Sequence, residues 1–291
     1  MPPVLRPPLL RKILAEPRAV IGGVILLLVL FVAIFAPILA PHDPAEQDLL
    51  RTLLPPAWLP GGDWAFPLGT DSLGRCTLSQ LLYGARVAMI VAVAAASGAA
   101  LLGSILALLA GYFGGVVDWL ISRAVDVWMS FPPVVLSLVF MVGLGAGLAN
   151  VILAIVIVDW TRFCRIVRSE VLAVARRDYV PAARLAGFSH LQIIVKEILP
   201  AVTPLLLTLI SIEMGIAVIV EAILSFVGLS VEPSMPAWGV MIADARQYMY
   251  QAEWGLILPV LGIFVTVLGA NLLGDGLRRS LDPRLVRRVA A

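Results

Sequence analysis

Charged residues are scarce in this chain. Aspartate, glutamate, lysine and arginine account for 14% of its 291 residues, whereas soluble globular domains contain about a quarter. Lysine is nearly absent, since it occurs only at positions 12 and 196. Hydrophobic residues make up 60% of the chain, and the mean hydropathy is +0.99. This balance excludes an ordinary soluble domain and predicts a protein that crosses a membrane several times.

Two functional motifs are also missing. No G-x-x-x-x-G-K-[ST] segment occurs, so the chain has no P-loop with which to cradle nucleotide phosphates. No basic tract is interleaved with aromatic residues, which argues against nucleic-acid binding despite the net charge of +2. We therefore expect a protein that is not itself an enzyme and that carries no cofactor.

Long apolar stretches begin close to the N-terminus. The first, 19–40, follows basic residues as the core of a signal peptide does. It is longer than such a core, however, and its best cleavage residue, Ala40, directly precedes Pro41. We interpret it as an uncleaved first span. The other stretches that are long enough to cross a bilayer are 87–110, 134–158, 201–227 and 255–273.

The number of spans depends on whether 134–158 is one crossing or two helices that meet at the glycine-rich segment 143–150. With one crossing, the arginine-rich loop 161–200 and the arginine-rich C-terminal tail cannot both share the side of the basic N-terminus, which strains the positive-inside rule. With two helices there are six spans and both termini are cytoplasmic. All lysines and arginines then lie inside except Arg51, Arg75, Arg86 and Arg246. We predict six spans.

This topology separates the residues that are able to form a metal site or a disulfide. His42 lies outside and His190 inside, so they cannot share a metal ion. Cys76 and Cys164 are separated in the same way. We predict neither a metal site nor a disulfide.

Six spans require the third helix to begin near Asp118, because the apolar stretch before the glycine-rich segment is too short to cross alone. A polar residue then recurs every four positions, at Asp118, Ser122, Asp126 and Ser130. The stripe either lines a water-filled path or is a helix end solvated by cytoplasm, and we favour the second. Pro132 and Pro133 predict a kink.

The segment 178–200 is polar and basic between two apolar runs. Asp178 is a suitable N-cap, and Gly187 suits the left-handed position that follows a helix. Ser189 and Gln192 have the spacing of a capping box. The segment therefore predicts two short helices joined by a tight turn on the cytoplasmic face.

Five residues of this segment resemble the "EAA" coupling loop of ABC importer permeases, namely Ala182, Ala183, Gly187, Leu199 and Pro200. In that family the loop docks into a groove on the ATPase subunit, so the resemblance assigns these residues to ATPase coupling. The chain has Pro181 where the loop usually has glutamate, and Glu197 where isoleucine often stands.

Segments over most of the chain resemble the "C"-type permease of the dipeptide, oligopeptide and nickel importer family. They are 67–75, 82–86, 111–115, 221–228, 236–239 and 271–277 with 281–285. Cys76 stands where the family often has aspartate. The resemblance implies an all-α integral membrane protein with six transmembrane helices, cytoplasmic coupling helices and the ABC importer permease (MetI-like) fold.

The same resemblance implies an assembly in the bacterial inner membrane. The chain would form half of the translocation pathway of an ATP-driven importer of di- or oligopeptides. Its partners would be a second, homologous permease, two ATP-binding subunits that hydrolyse ATP, an external substrate-binding protein and membrane lipid. Nickel, glutathione and glycoside importers share these segments, so the cargo stays open.

The expected organisation follows from the topology and the resemblance together. It comprises a cytoplasmic tail (1–18), a first transmembrane helix (19–40), an external loop (41–86), a five-helix core (87–275) that contains the coupling loop (178–199), and a cytoplasmic tail (276–291). The external loop and the segment 228–253 would form the outer surface that receives the loaded binding protein. A solvated loop is the simpler interpretation of the acidic residues in 41–86.

Two acids fall inside the fifth apolar helix. Glu213 lies about 18 Å along a helix that begins at Ala201, near the bilayer centre, where an ionisable group usually faces protein or a water-filled path. Glu221 lies eight residues further on, about 80° around the helix. Both are candidates for the translocation pathway, although a packing role is at least as plausible for Glu221. We expect Glu213→Gln to change transport and leave assembly intact.

Two other kinds of function are compatible with an oily chain. A proton-coupled secondary transporter would use Glu213 as its proton site and would need no ATPase. A membrane scaffold without a path would use Glu213 only for packing. Neither explains a capped helical hairpin on the cytoplasmic face, so we rank both below the importer permease.

Overall fold

The computed structural model describes residues 13–232 and 235–281, and every regular element within these ranges is a helix. The elements are α1 (Pro17–Leu39), α2 (Thr77–Phe113), α3 (Gly115–Met129), α4 (Pro133–Leu144), α5 (Leu148–Ala175), α6 (Tyr179–Leu185), α7 (His190–Ile193), a π-helical turn (Ile194–Ile198), α8 (Leu199–Phe226), α9 (Trp238–Ala245), a 3-10 turn (Arg246–Tyr248) and α10 (Trp254–Leu281). The prediction of an all-α protein is confirmed for these residues. Most of the basic N-terminal segment and all but the first six residues of the predicted C-terminal tail lie outside the described residues.

Four of the described helices are long and apolar enough to cross a bilayer, namely α1, α2, the continuous helix from His190 to Phe226, and α10. A bent pair, α3 with α4, passes the same test when taken together and brings the number to five. The remaining one of the six predicted crossings is α5, which has 28 residues. Because α5 carries several charged side chains, hydropathy does not identify it, and its crossing stays a prediction.

The long central helix, α2, is built for close helix packing. It has 37 residues, about 55 Å, and begins ten residues ahead of the apolar run that marks it in the sequence. Its buried face consists largely of alanine and glycine. A Cβ atom on Gly103 would meet the backbone oxygen of Trp160 and the side chain of Phe163 on α5. In lipid, where the hydrophobic effect does not hold helices together, such close approach supplies the van der Waals contact that does.

The α3–α4 region differs from the single kinked helix that the sequence predicts. The two helices are bent by 89°, and Ser130, Phe131 and Pro132 separate them. Prolines at 132 and 133 supply no backbone N–H, so the i to i−4 ladder of α3 cannot continue through them. Instead Pro133 starts α4, where a missing N–H costs nothing.

The polar stripe on α3 is not left to solvent alone, because two of its residues pair with α5. Arg168 donates to both carboxylate oxygens of Asp118, and the Nη2–Oδ2 distance is 2.6 Å. Arg165 donates to Asp126 across 3.0 Å. The expectation of a merely solvated helix end is therefore incomplete, since two ion pairs fasten this stripe to the neighbouring helix.

The glycine-rich segment separates two helices, as the six-span prediction requires. Helix α4 ends at Leu144 and α5 begins at Leu148. Gly145 and Gly147 in the connection have φ angles of 81° and 147°, which side-chain-bearing residues rarely adopt. At its other end α5 continues to Ala175. The predicted loop from 161 was therefore placed too early, because Arg162, Arg165 and Arg168 are helical.

The first helix, α1, packs against α10 through small residues. A Cβ on Gly22 would meet the backbone of Gly269 and Leu273, and one on Gly276 would meet the backbone of Ala19. Gly23, the next residue on α1, has nothing within 4 Å of an added Cβ. The two neighbouring glycines thus differ only in whether they face α10.

We predict that Gly22→Leu separates α1 from α10, because the contact offers backbone and no flexible side chain to give way. Overpacking of this kind costs about 1–3 kcal/mol. The thermal unfolding midpoint of the detergent-purified protein should fall, whereas Gly23→Leu, the matched control, should leave it unchanged. Equal midpoints for the two variants would contradict this packing.

Candidate functional site

The segment 178–199 forms a tight helical hairpin with α6 as its first arm. Gly187 has a φ of 85°, and its N–H donates to the carbonyl of Arg184 across 3.1 Å. The N–H of Phe188 donates to the carbonyl of Ala183 at the same distance. These two bonds make a Schellman motif, in which the left-handed residue lets the chain reverse. The predicted left-handed conformation of Gly187 after the helix is confirmed.

The capping box that opens the second arm is also present. Ser189 accepts from the backbone N–H of Gln192, and the Gln192 side chain accepts from the backbone N–H of Ser189. Asp178 precedes α6 as predicted, but its side chain makes no capping hydrogen bond. The residue is itself helical, with φ −53° and ψ −31°, so its carboxylate is not in the extended geometry from which a cap reaches forward.

The sequence predicts that the second arm ends as a short helix near Pro200, and this prediction is wrong. It continues through the π-helical turn into α8. Pro200 has no N–H to donate back to the carbonyl of Lys196, and a local widening of the helix accommodates such a break in the ladder. Leu199 and Pro200 therefore mark the junction between the hairpin and the long helix.

One face of the hairpin is anchored in the helical core. Val180, Ile193 and Ile198 are buried in a cluster with residues of α2 and α5. The opposite face is open, and large apolar side chains are exposed on it: Leu185 at 91% and Leu191 at 70%. Ala182, Gly187 and Pro200 are exposed, while Ala183 and Leu199 are half-buried. The face thus carries exposed leucines among polar and basic side chains and is unpartnered within the described residues. Exposed apolar side chains grouped in this way mark surfaces that contact protein or membrane.

The hairpin is linked directly to the end of α2 by residues that sequence reasoning missed. The Tyr112 hydroxyl lies 2.8 Å from Nδ1 of His190. The guanidinium of Arg184 lies over the Tyr112 ring, 5.5 Å from its centroid. The only sequence signal was that Tyr112 falls in the family-like segment 111–115. Through this contact both arms of the hairpin touch the central helix.

Glu213 is part of a buried ionic triad with Asp159 and Arg162. Arg162 Nη1 donates to Glu213 Oε2 across 2.8 Å, and its Nη2 to Asp159 Oδ1 across 3.3 Å. Glu213 is 1% exposed and Asp159 3%, while the Arg162 side chain is 34% exposed. The sequence pointed to Glu213 alone, because 161–200 was assigned to a loop. Had 159–162 been predicted as helix, the three-residue spacing of Asp159 and Arg162 would have indicated an ion pair that is able to contact Glu213.

An open cleft lies beside this triad, where the break between α3 and α4 faces α5. We call it the break cleft. It is lined by Trp128, Met129, Phe131, Pro133, Val158, Asp159, Thr161 and Arg162. Trp128 is held in place because its indole N–H donates to the carbonyl of Ile157 across 2.7 Å. Glu213 lies behind the Arg162 guanidinium and does not line the cleft.

Glu221, the second predicted acid, lies in a different environment. It is 1% exposed, and one of its oxygens accepts from Ser225 at 2.5 Å and from Ser230 at 3.4 Å. Ser230 lies beyond the end of α8, so the carboxylate ties the loop that follows back onto the helix. This arrangement favours the packing role for Glu221, and the structure does not bring it together with Glu213.

The loop before α2 is fastened to the opposite end of the bundle from the hairpin. Arg75 bridges Asp71 at 2.6 Å and Asp244, next to the C-terminus of α9, at 3.0 Å. The indole N–H of Trp254 reaches the carbonyl of Thr70 across 3.4 Å. Cys76 is buried at the start of α2 and provides no side-chain cap. Among the described residues no cluster of histidine, cysteine, aspartate and glutamate is suited to a metal ion.

Comparison with known proteins agrees with this architecture. The family described as "Binding-protein-dependent transport system inner membrane component" matches residues 100–287, and "N-terminal TM domain of oligopeptide transport permease C" matches residues 9–56. The di/tripeptide transport system permease protein DppC of Pseudomonas aeruginosa is 40% identical over 93% of this chain and 90% of its own length. The dipeptide transport system permease protein DppC of Escherichia coli is 42% identical over 92% and 89%.

The glutathione transport system permease protein GsiD of Pectobacterium atrosepticum is 37% identical over 94% of this chain and 90% of its own length. The resemblance to "C"-type permeases is thereby confirmed. Both family matches together take in the first helix and the packed helices from the second half of α2 onward. The chain belongs to the family of binding-protein-dependent transport system inner membrane components.

Proposed function

We propose that the chain is a permease subunit of an ATP-driven importer, that its cargo is a di- or oligopeptide, and that it forms half of the translocation pathway. The observation that carries this proposal is the similarity, over nine-tenths of the chain, to permease proteins named for dipeptide and di/tripeptide transport. A homologous second permease supplies the other half of the pathway. An external binding protein delivers the cargo.

ATP hydrolysis belongs to two partner subunits in this proposal. The chain has no P-loop, and its lysines are two in number, Lys12 and Lys196. The hairpin 178–199 is the surface on which an ATPase subunit docks. Its exposed leucines would become buried on docking, which stabilises the complex by removing apolar area from water.

The hairpin is suited to transmit conformational change because its two faces have different attachments. Its inner face is packed into the core through Val180 and Ile193, and Tyr112 connects it to the end of α2. A movement of the docked ATPase would therefore displace α2 and α8 together. Coupling requires only that the closed ATPase pair favour one permease conformation over the other.

The orientation we propose puts the hairpin and both termini in the cytoplasm of a bacterium and the loop 41–76 outside. The positive-inside rule supports it, because the hairpin end of the molecule carries most of the arginines. Lipid surrounds the exposed apolar faces of α1 and α10. The external surface then consists of the loop before α2 and of α9, which Arg75 holds together.

We predict that Leu185→Asp strongly weakens docking of the ATPase subunit, because a carboxylate would be buried without a partner. Loss of a central apolar contact of this kind costs about 2 kcal/mol or more, roughly a 30-fold weaker association. The measurement is co-purification of the ATPase subunits with the tagged permease. Leu50→Asp is the matched control, since Leu50 is also exposed but lies in the loop at the other end. ATPase retention by the Leu185 variant equal to that of the control would refute this docking surface.

We also predict that Arg75→Gln weakens reception of the loaded binding protein, because α9 and the loop before α2 lose their shared ion pair. The concentration of loaded binding protein that half-stimulates ATPase activity should rise about tenfold, corresponding to about 1.4 kcal/mol. Arg51→Gln is the control, because Arg51 pairs only with Asp48 and Asp63 inside the same loop. An unchanged half-stimulating concentration in the Arg75 variant would show that this bridge does not shape the receiving surface.

A further inference from the structure

The break cleft combines a charged floor with aromatic walls, which is an unusual lining for a helix bundle in lipid. Asp159 and Arg162 line it directly, and the rings of Trp128 and Phe131 stand beside them. Trp128 is fixed by its bond to Ile157. The cleft exists because the proline pair breaks the helix between α3 and α4 at the level of Asp159.

The triad behind this lining has more acids than bases. Two carboxylates, Asp159 and Glu213, share the single guanidinium of Arg162, so the triad carries one negative charge when both acids are ionised. Glu213 Oε1 is buried and accepts no hydrogen bond. An uncompensated charge and an unsatisfied acceptor both cost free energy in a medium of low dielectric constant. Either a proton or a ligand that brings a positive charge would remove this cost.

The accessible side of the triad sets where such a ligand binds. Arg162 donates to Oδ1 of Asp159, which leaves Oδ2 for a ligand in the cleft. Glu213 lies behind the guanidinium and acts on a ligand through its charge. The faces of Trp128 and Phe131 attract cations through their ring quadrupoles. A carboxylate in the same position would have to compete with Asp159 and Glu213 for the Arg162 guanidinium.

We infer that the break cleft recognises the ammonium group of the cargo, either the N-terminal amino group or a lysine side chain of a short peptide. The inference rests on the proposed importer function. An ammonium supplies the positive charge together with three N–H donors. Asp159 is the direct contact, and Arg162 and Glu213 are positioning residues that set the charge of the site. The cleft thus favours cationic over anionic peptides during passage.

The test uses the whole transporter, with its second permease, ATPases and binding protein, in proteoliposomes that contain ATP. Initial uptake rates of Lys-Ala and Glu-Ala are compared, each at a concentration that saturates the binding protein. Saturation removes the binding protein's own affinity from the comparison. The variants are Asp159→Asn and Glu213→Gln, and Asp126→Asn is the control, because Asp126 is an acid on α3 that pairs with Arg165 outside the cleft.

The wild-type complex should import Lys-Ala faster than Glu-Ala. Each cleft variant should lower that ratio by roughly five- to tenfold, which corresponds to about 1–1.4 kcal/mol of lost preference for the cation. The Asp126 control should keep the wild-type ratio. Glu213→Gln also serves if Asp159→Asn fails to assemble, since it removes the same charge from a position behind the cleft.

Two results would overturn the inference. If both rates fall by one common factor and the ratio is unchanged, the triad only packs α5 against α8. If the ratio is unchanged while the pH dependence of uptake shifts, a proton is the missing cation. Uptake by the wild-type complex without ATP would instead refute the importer function itself. This control is measured before any variant is compared.

Discussion

The absence of water around most of this protein is the constraint on which its structure depends. A charge inside a bilayer is tolerated only when it is paired or faces a water-filled space, and acids on α3 and α8 are accordingly paired with arginines of α5. Asp118 and Asp126 pair with Arg168 and Arg165, and Glu213 pairs with Arg162. These contacts fasten α5 to α3 and α8, whereas alanine and glycine determine how closely α2 packs against α5.

The same constraint explains how a chain without a nucleotide site takes part in ATP-driven transport in the account proposed here. Energy has to enter where the protein leaves the membrane, and the hairpin 178–199 is the element that does so. Its buried face is continuous with α2 and α8, while its exposed face carries leucines among polar and basic side chains and is unpartnered within the described residues. The contact between the Tyr112 hydroxyl and the His190 ring connects the hairpin to the central helix α2. A hairpin that is packed into the core transmits the displacement of a docked ATPase subunit better than a flexible loop would.

Local sequence chemistry predicted the parts of the structure that depend on local geometry. The left-handed turn at Gly187 and the capping box at Ser189 are present because a few residues decide them. Long-range partners were beyond such reasoning. Asp159 and Arg162 were missed because hydropathy places a loop wherever charges cluster, whereas an ion pair across two helices makes the same charges acceptable inside a bundle. The 89° break at the proline pair was foreseen only as a kink, since its angle depends on how α4 packs.

In the proposed mechanism, ATP hydrolysis in partner subunits drives uptake through movement of the hairpin. The most direct measurement compares two energy sources in proteoliposomes that contain the complete complex and externally loaded binding protein. One set encloses ATP and carries an uncoupler, and the other has an imposed proton gradient and no ATP. The account predicts dipeptide accumulation in the first set and none in the second. Accumulation driven by the gradient alone would contradict it.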